Sequence, residues 1–253
     1  MRYLITAAAV ISTLSVSIAL AVSPAQVVNR VIFYNNSSFD GNNSDTNTHD
    51  TEAIAPAAGL AFGNPRQGKV ALLPGETASF RNYTSYTRGI NGIMFDIEGL
   101  PSATNLLTAF DVDFRIGNSS DTSTWTRAPN VRAIVLKKGE GVNGSDRVKV
   151  IWPDGAIKNT WLQVTIRANA HTGLTTPDIF YWGNTVGESG NSLTDAVVDL
   201  QDELAAKRSP RSAFNPAPID YLTDFNRDKK VDQNDQAQPR NNHAPVLQLI
   251  TPR

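Results

Sequence analysis

The stretch WLQVTIR, residues 161–167, decides the fold class of this chain. Its apolar residues Leu162, Val164 and Ile166 alternate with more polar ones, and successive side chains of a β-strand point to opposite faces. The stretch is therefore predicted to be a strand with one apolar face against a core. Trp161 falls on the other face, beside glutamine, threonine and arginine, where it is either exposed or covered by a loop.

Short apolar alternations of the same kind recur along the chain between turn residues, as is typical of strands. They lie at residues 28–34, 69–73, 78–83, 90–97, 110–116, 131–136, 147–152 and 178–182. Pro153-Asp154-Gly155 predicts a hairpin turn between two of them. No helical period separates these stretches, so residues 22–184 are predicted to form an antiparallel β-sandwich with a jelly-roll-like topology.

Charge and cysteine content exclude several functions. The chain has 253 residues, a formal net charge of −1 and no cysteine. A chain without a basic excess offers no attractive field for nucleic acid or for an anionic membrane surface. The lack of cysteine excludes disulfides, thiolate zinc sites and cysteine nucleophiles. Acidic residues are in local excess between Gly187 and Asp235, which suits a cation.

The N-terminus has the pattern of a secretory signal peptide. An apolar run follows Met1-Arg2, and Ala19-Leu20-Ala21 fits the small-x-small cleavage pattern. Residues 1–21 are therefore predicted to be a signal peptide on a protein that is secreted, extracellular or at the cell surface. The alternative is a membrane anchor, although the run is close to the lower limit of about 17 residues for a spanning helix.

Residues 224–235, DFNRDKKVDQND, have the oxygen spacing of an EF-hand calcium loop. Oxygen ligands are expected at loop positions one, three, five, seven, nine and twelve, from Asp224, Asn226, Asp228, Lys230 (backbone carbonyl), Asp232 and Asp235. A tight loop turns every second residue inward, which supplies the six to eight oxygens that Ca²⁺ prefers. The predicted cofactor is therefore Ca²⁺, and the alternative is a solvated turn of Asp and Asn residues.

Two positions depart from that loop pattern. The sixth is Lys229, where glycine usually permits the sharp turn, so backbone strain is expected there. The twelfth is Asp235, which has a shorter side chain than the usual glutamate. A short helix is also predicted upstream at residues 202–208, because acids open it and bases close it, as the helix dipole favours.

These features resemble a type I dockerin, a pair of calcium loop–helix repeats with Asp at the twelfth position. The resemblance covers residues 187–245, and residues 246–253 are expected to form a C-terminal strand or tail that returns to the sandwich. By motif match the first loop would use Asn191, Asp195, Asp199 and Asp202, with Glu188 as a substitute from an extended turn. Leu193 stands where an oxygen belongs, and Pro239 is expected to damage the second helix.

The same resemblance implies a protein partner, cohesin-like or otherwise extracellular. In dockerins the partner contacts the tenth and eleventh loop positions and the bases of the following helix. By motif match these residues are Leu200, Gln201, Lys207, Arg208, Gln233, Asn234 and Arg240. The alternative is that Leu200 packs inward and that the bases only form a solvated helix end.

Two functions remain open on the sequence alone. One is a non-catalytic binding or assembly protein in a polysaccharide-related or cell-surface context. The other is a carbohydrate-binding or carbohydrate-active protein whose glycan site lies on the sandwich, with Trp161 as a stacking platform. A hydrolase pair such as Asp111 and Asp113 would need a cleft that the sequence does not reveal, so no enzyme is expected.

Export gives the first testable prediction. Intact-mass spectrometry of material recovered from the medium of a producing cell should show a chain that begins near Val22, because the signal peptidase cleaves after small residues. A chain that retains Met1 and fractionates with membranes would contradict the signal-peptide prediction and favour the anchor.

Overall fold

The computed structural model describes residues 23–56, 68–243 and 247–253, and the predicted signal peptide at residues 1–21 lies outside them. The described part is mainly β. Its strands are β1 (Gln26–Ile32), β2 (Tyr83–Thr84), β3 (Gly92–Glu98), β4 (Val112–Gly117), β5 (Thr126–Arg127), β6 (Ala133–Lys137), β7 (Asp146–Ile151), β8 (Thr160–Ile166) and β9 (Asp178–Asn184). Its helices are α1 (Leu200–Arg208) and α2 (Gln233–Asn241), and neither is long and apolar enough to cross a membrane.

The strands form two sheets, with the orders β1-β3-β7-β6 and β2-β9-β8-β4-β5. Every pair is antiparallel except β2–β9, which is parallel. The expectation of purely antiparallel sheets is therefore wrong at this edge. The buried Asn184 stabilises the exception, because its side-chain amide donates to the backbone carbonyls of Thr84 (3.2 Å) and Tyr86 (3.1 Å).

The sheets face each other across one apolar core, as a β-sandwich requires. Leu162, Val164 and Ile166 of β8 lie in this core, which confirms the predicted alternation. Aromatic pairs join the two sheets, with Phe95 of β3 edge-on to Phe180 of β9 at 6.4 Å between ring centroids. Such pairs add about 0.5–1.5 kcal/mol to the burial of their area.

The predicted hairpin at residues 153–155 is wrong. β7 pairs with β3 and β6 while β8 pairs with β4 and β9, so this turn carries the chain from one sheet to the other. Its geometry is fixed by Asp154, whose carboxylate accepts hydrogen bonds from the side-chain amides of Asn36 and Asn91 (both 2.7 Å). A turn signal shows where a strand ends but not which strand is next to it.

Two predicted strands are replaced by irregular backbone. Residues 69–73 contribute only an isolated bridge between Leu72 and Tyr181, and Phe80–Asn82 forms a short 3-10 helix before β2. The two-residue strand β5 has no periodicity and was not predicted. The boundaries of the other strands lie within a few residues of the predicted ones.

The C-terminal residues 247–253 return to the sandwich as extended chain without forming a strand. Leu247 and Ile250 are buried against the outer face of the five-stranded sheet. The backbone N–H of Ala78 donates to the carbonyl of Ile250 (2.9 Å), and that of Gly75 donates to Pro252 (2.7 Å). The tail is therefore part of the fold of the sandwich.

A buried ion pair lies on the outer face of the four-stranded sheet. Arg147 of β7 donates two hydrogen bonds to Asp96 of β3, at 2.7 and 2.8 Å. Asn29 and the backbone N–H of Val142 complete the carboxylate shell, at 2.9 and 3.1 Å. Burial alone would raise the pKa of Asp96, but the hydrogen bonds from Arg147, Asn29 and Val142 lower it below its usual range.

This pair predicts a large and pH-dependent stability effect. Asp96→Asn should lower the free energy of unfolding by about 3–5 kcal/mol, because it leaves the buried Arg147 uncompensated. The folded pKa of Asp96 is depressed, so the stabilisation is complete well above its unfolded value of about 3.9 and is lost as pH falls through the lower folded pKa. Denaturant titrations at several pH values measure the difference.

Glu98→Gln is the matched control, since Glu98 is exposed at the end of the same strand. It should change the free energy of unfolding by less than about 0.5 kcal/mol. Equal effects of the two substitutions would contradict the role of the ion pair.

Candidate metal centre

The two helices begin in the same way. The N-cap of α1 is Asp199, whose side chain accepts from the backbone N–H of Gln201, while Asp202 accepts from the backbone N–H of Asp199. The N-cap of α2 is Asp232, which forms the same reciprocal capping box with Asp235. Each capping box satisfies N–H groups that a helix N-terminus leaves free and holds two carboxylates where the loop meets the helix.

The second loop is closed by the buried carboxylate of Asp235. Its Oδ1 accepts from the backbone N–H groups of Phe225 (2.8 Å) and Asn226 (3.3 Å), and its Oδ2 accepts from that of Asp232 (3.1 Å). The twelfth loop position is thereby tied to the second, third and ninth. The predicted ligand positions at the two ends of residues 224–235 are brought together.

The backbone in the middle of this loop turns around the side chain of Asp224, which is also fully buried. Its carboxylate accepts from the backbone N–H of Asp228 (3.1 Å) and of Lys229 (3.0 Å). Asp228 in turn accepts from the N–H of Lys230 (2.8 Å) and from the side-chain amide of Asn226 (3.1 Å). The oxygens predicted at positions one, three and five therefore belong to one hydrogen-bonded turn.

The backbone strain predicted at the sixth position is confirmed. Lys229 has φ of +70°, and Arg227 before it has φ of +56°. Left-handed backbone costs a residue with a Cβ of order 1 kcal/mol, so the surrounding contacts must hold it. The Lys229 ammonium lies 4.9 Å from the ring centroid of Phe39, and the Arg227 guanidinium lies 4.4 Å from that of Tyr34.

The first loop follows the same hydrogen-bond scheme with a shifted start. Asp202 Oδ1 accepts from the backbone N–H (2.8 Å) and the hydroxyl (2.6 Å) of Ser189, as Asp235 accepts from Phe225. Ser189 is thus equivalent to Phe225, and Glu188 is equivalent to Asp224. The predicted first ligand Asn191 is instead exposed within an insertion that makes this loop three residues longer than the second.

Glu188 therefore takes the place that the sequence assigned to Asn191. It is fully buried, and its Oε1 accepts from the backbone N–H of Gly190 (2.6 Å). Its Oε2 has no hydrogen-bond partner among the described residues. The remaining predicted ligands of this loop are the half-buried Asp195, the exposed Asp199 and the buried Asp202.

The electrostatics of both loops favour a cation. Burial, opposed by Arg227 and reinforced by Asp235 and Asp228, raises the pKa of Asp224 to about 7. Burial, reinforced by Asp202, raises the pKa of Glu188 to about 8. The pKa values of Asp235 and Asp202 are also raised, chiefly by burial. The protein itself therefore supplies too little positive charge near these carboxylates to stabilise their ionised forms.

The donor set fits a hard cation, although it is not a cluster of converging acids. Among residues 23–56, 68–243 and 247–253, no three carboxylate or imidazole side chains are grouped so that they could hold a metal ion. An EF-hand set also includes amide and carbonyl oxygens, here those of Asn226 and Lys230. An ionised carboxylate has about four lone-pair sites, so accepting N–H bonds leaves capacity for an ion.

A small apolar core holds the loops to the helices. Phe225 and Val231 of the second loop are buried against Ala206 of α1. Val231 also forms an isolated antiparallel bridge with Arg211, in the connector between the two repeats. Val231 therefore anchors the second loop to this core.

The predicted damage to the second helix is wrong, because α2 runs through Pro239. This proline is buried in the last turn of the helix, and the backbone N–H of Asn242 still closes that turn onto Gln238 (3.1 Å). Gly187 packs against the proline so closely that a Cβ on it would lie 2.8 Å from the Pro239 nitrogen. A ring nitrogen without N–H permits this approach of two backbones.

The loop–helix region is attached to the sandwich through the second loop. The backbone N–H of Ser38 donates to the carbonyl of Arg227 (3.0 Å), and that of Thr87 donates to Phe225 (2.9 Å). The guanidinium of Arg227 also donates to the Tyr34 hydroxyl (3.3 Å). Phe225 and Arg227, which lie in the turns of the loop, therefore also form its contact with the sandwich.

The residues predicted to contact a partner are exposed. They are Leu200, Gln201, Lys207 and Arg208 of α1 and Gln233, Asn234 and Arg240 of α2. Leu200 is 55% exposed, so the alternative in which it packs inward is wrong. The bases are partly engaged, since Lys207 and Arg240 both pair with Glu203, and the pair with Arg240 links the two helices.

Trp161 is not a surface platform. Its side chain is fully buried, its ring lies edge-on to Tyr83 at 6.4 Å, and its indole N–H donates to the carbonyl of Gln248 (2.8 Å). The C-terminal tail therefore covers Trp161. This agrees with the predicted alternative in which a loop covers this face of the strand. The glycan-binding role proposed for Trp161 is wrong.

Searches for related proteins find no matching family model, no matching curated protein and no matching solved structure. The resemblance to dockerins consequently rests on the two loops and their helices.

Metal binding gives a direct test of the second loop. Titration calorimetry with Ca²⁺ should detect binding that Mg²⁺ does not match, because Mg²⁺ demands a more rigid octahedral shell. Asp224→Ala combined with Asp235→Ala should remove one bound calcium ion. Asp228→Asn keeps the size of the side chain and should weaken binding about tenfold by removing one ligand charge.

Asp220→Asn is the control, since Asp220 precedes the loop and should leave calcium affinity unchanged. Circular dichroism of each variant separates loss of a ligand from loss of fold. An unchanged number of bound ions in the double variant would refute the assignment of the second loop.

Proposed function

We propose that this chain is an exported, non-catalytic binding or assembly protein in a polysaccharide-related or cell-surface context. In this proposal a jelly-roll-like sandwich carries a dockerin-like module, residues 187–245, that calcium stabilises and that docks an extracellular protein. Calcium, when bound, supplies the positive charge that the buried carboxylates of the loops lack. Asp224, Asn226, Asp228, Asp232, Asp235 and the carbonyl of Lys230 would hold it in the second loop.

One observation carries the proposal, namely that two loops of different sequence are closed by the same hydrogen bonds. In each loop a buried aspartate at the end accepts from the residue after the first ligand position and from the N-cap of the following helix. An ordinary solvated turn needs no such repetition. A duplicated loop–helix unit supports a paired-site module of the dockerin kind more than it supports a single structural clip.

The first loop supports a second, modified site. Glu188 replaces the usual aspartate with a longer side chain, and the three-residue insertion lengthens the loop around it. Asp195, Asp199 and Asp202 remain available as further oxygen ligands. The buried and unpartnered Oε2 of Glu188 is the observation in favour of an ion here, because unpaired buried carboxylate oxygens are costly.

The docking surface is centred on Leu200. It is an exposed apolar side chain in the first turn of α1, with the polar Gln201 beside it and Arg208 at the far end of the helix. An apolar contact with a polar rim is the usual composition of a small recognition patch. Because Lys207 and Arg240 already pair with Glu203, apolar contact contributes more than these charges.

The alternative function is carbohydrate recognition or processing on the sandwich. It cannot use Trp161, which the C-terminal tail buries, and so it requires another surface of the sheets.

Leu200→Asp tests the docking function. Affinity capture from the envelope fraction of a producing cell, in calcium, should lose a partner that the wild-type chain retains, with affinity reduced at least tenfold by the buried charge. Leu106→Asp is the matched control, because Leu106 is 57% exposed but lies on the sandwich. Identical proteins recovered by wild type and both variants would show that the region is a structural calcium clip.

A further inference from the structure

The outer face of the five-stranded sheet carries a recess that neither the loops nor the tail occupies. It lies over β4 and β5 and next to the end of β8, and it has a volume of about 480 Å³. Its lining residues are Ala109, Phe110, Asp113, Arg115, Arg127 and Arg167. Three arginines and one acid therefore meet here, in a chain whose formal net charge is −1.

The strand register forces two of these charges together. Arg115 of β4 and Arg127 of β5 are direct cross-strand partners. Directly opposed side chains share a face with Cβ atoms about 5 Å apart, and like charges in this arrangement destabilise a sheet. Folding gains nothing from such a pair, whereas a bound anion between the two guanidiniums compensates the repulsion.

Asp113 orients two arginines and leaves the third free. Arg115 Nε lies 3.3 Å from Asp113 Oδ2, and the Arg167 guanidinium lies 3.9 Å from its Oδ1. Arg115 also donates to the backbone carbonyl of Trp125 (3.4 Å). Arg127 is exposed, and among the described residues no hydrogen bond or ion pair involves its guanidinium. The recess thus has a net charge of +2, with one guanidinium available to a ligand.

Phe110 gives the recess an aromatic wall. Its side chain is 83% exposed two residues before the start of β4, where a phenylalanine gains little from the core. An exposed aromatic ring stacks on the C–H face of a sugar ring, while arginine binds carboxylate or sulfate through two parallel N–H groups. A second recess of about 240 Å³ adjoins the first along Arg127 and Asp113, which suits an extended ligand.

We propose that this arginine recess binds an acidic polysaccharide, with Arg127 and Arg115 on a carboxylate or sulfate and Phe110 against the neighbouring sugar ring. Asp113 accepts a hydrogen bond from a sugar hydroxyl while it keeps Arg115 and Arg167 in place. The site belongs to the sandwich alone and is independent of calcium binding and of Leu200. A nucleic acid is a poorer ligand, because only three arginines contribute and the chain as a whole is not basic.

Microscale titration of this chain tests the proposal with three oligosaccharides: an oligogalacturonate too short to gel with calcium, a sulfated oligosaccharide, and a neutral galacto-oligosaccharide. The charged ligands should bind, and the neutral one should bind at least tenfold more weakly. The tighter of the two charged ligands identifies the anion. Affinity should fall as salt is raised from about 50 to 200 mM, because exposed charges are screened over this range.

Variants locate the site. Arg127→Glu should weaken binding at least tenfold without lowering thermal stability, because it replaces a like-charge cross-strand pair by an opposite-charge pair at an exposed position. Phe110→Ala should weaken binding severalfold at low and at high salt alike, since its contribution is not ionic. Arg81→Glu makes the same charge change at an exposed position of the 3-10 helix Phe80–Asn82 and should bind as wild type does.

The proposal is overturned if the wild-type chain binds no charged oligosaccharide, or if Arg127→Glu binds as tightly as wild type. Equal losses in Arg127→Glu and Arg81→Glu would also overturn it, because they would indicate attraction by overall charge. So would a single-stranded oligonucleotide that binds as tightly as the acidic glycans. Repeating the titration with Asp224→Ala and Asp235→Ala separates this site from the calcium module, whose failure leaves the expected glycan affinity unchanged.

Discussion

The rest of the architecture depends on two neighbouring strands, β8 and β9, that carry apolar side chains on both faces of their sheet. The inner face of β8 and β9 packs in the shared core, while Trp161 and Tyr181 project from the outer face of the same strands. Exposure of either apolar face to water is unfavourable, so other residues must also pack against the outer face. Trp125, Leu72 and the C-terminal tail do so, with Trp125 edge-on to Tyr181 at 5.7 Å. The remaining outer face, over β4 and β5, is polar and stays open, which is why the arginine recess lies there.

The sequence predicted the positions of the strands better than it predicted which strands and segments pack next to them. Alternation along residues 161–167 identifies a strand and its core face because period two is a local property. It does not reveal what lies against the other face, so it cannot distinguish an exposed Trp161 from one that the C-terminal tail covers. Residues 69–73 alternate equally well, yet they form only a bridge, since pairing depends on a partner strand. The two-residue strand β5 is too short to have any period.

The two loop–helix repeats show the same difference between local sequence patterns and contacts between distant residues. The second loop was predictable because its oxygens follow a fixed spacing within twelve consecutive residues. The first was only partly predictable, because a three-residue insertion displaces its start from Asn191 to Glu188, and the hydrogen bonds of Asp202 to Ser189 identify the shift. The prediction that Pro239 damages the second helix was wrong for a related reason. Pro239 lies in the last turn of α2 and packs against Gly187, which is about fifty residues earlier in the chain, so the sequence does not reveal this contact.

The path of the C-terminal tail makes the loop–helix region an insertion and not an appendage. The chain leaves the sandwich after β9, builds both repeats, and then returns to cover Trp161. Both ends of the region are therefore held by the same sandwich, and Arg227 fastens its middle to Tyr34. A single proteolytic cut inside it would leave both fragments attached. A force applied at α1 would therefore reach the sandwich through two separate chain connections.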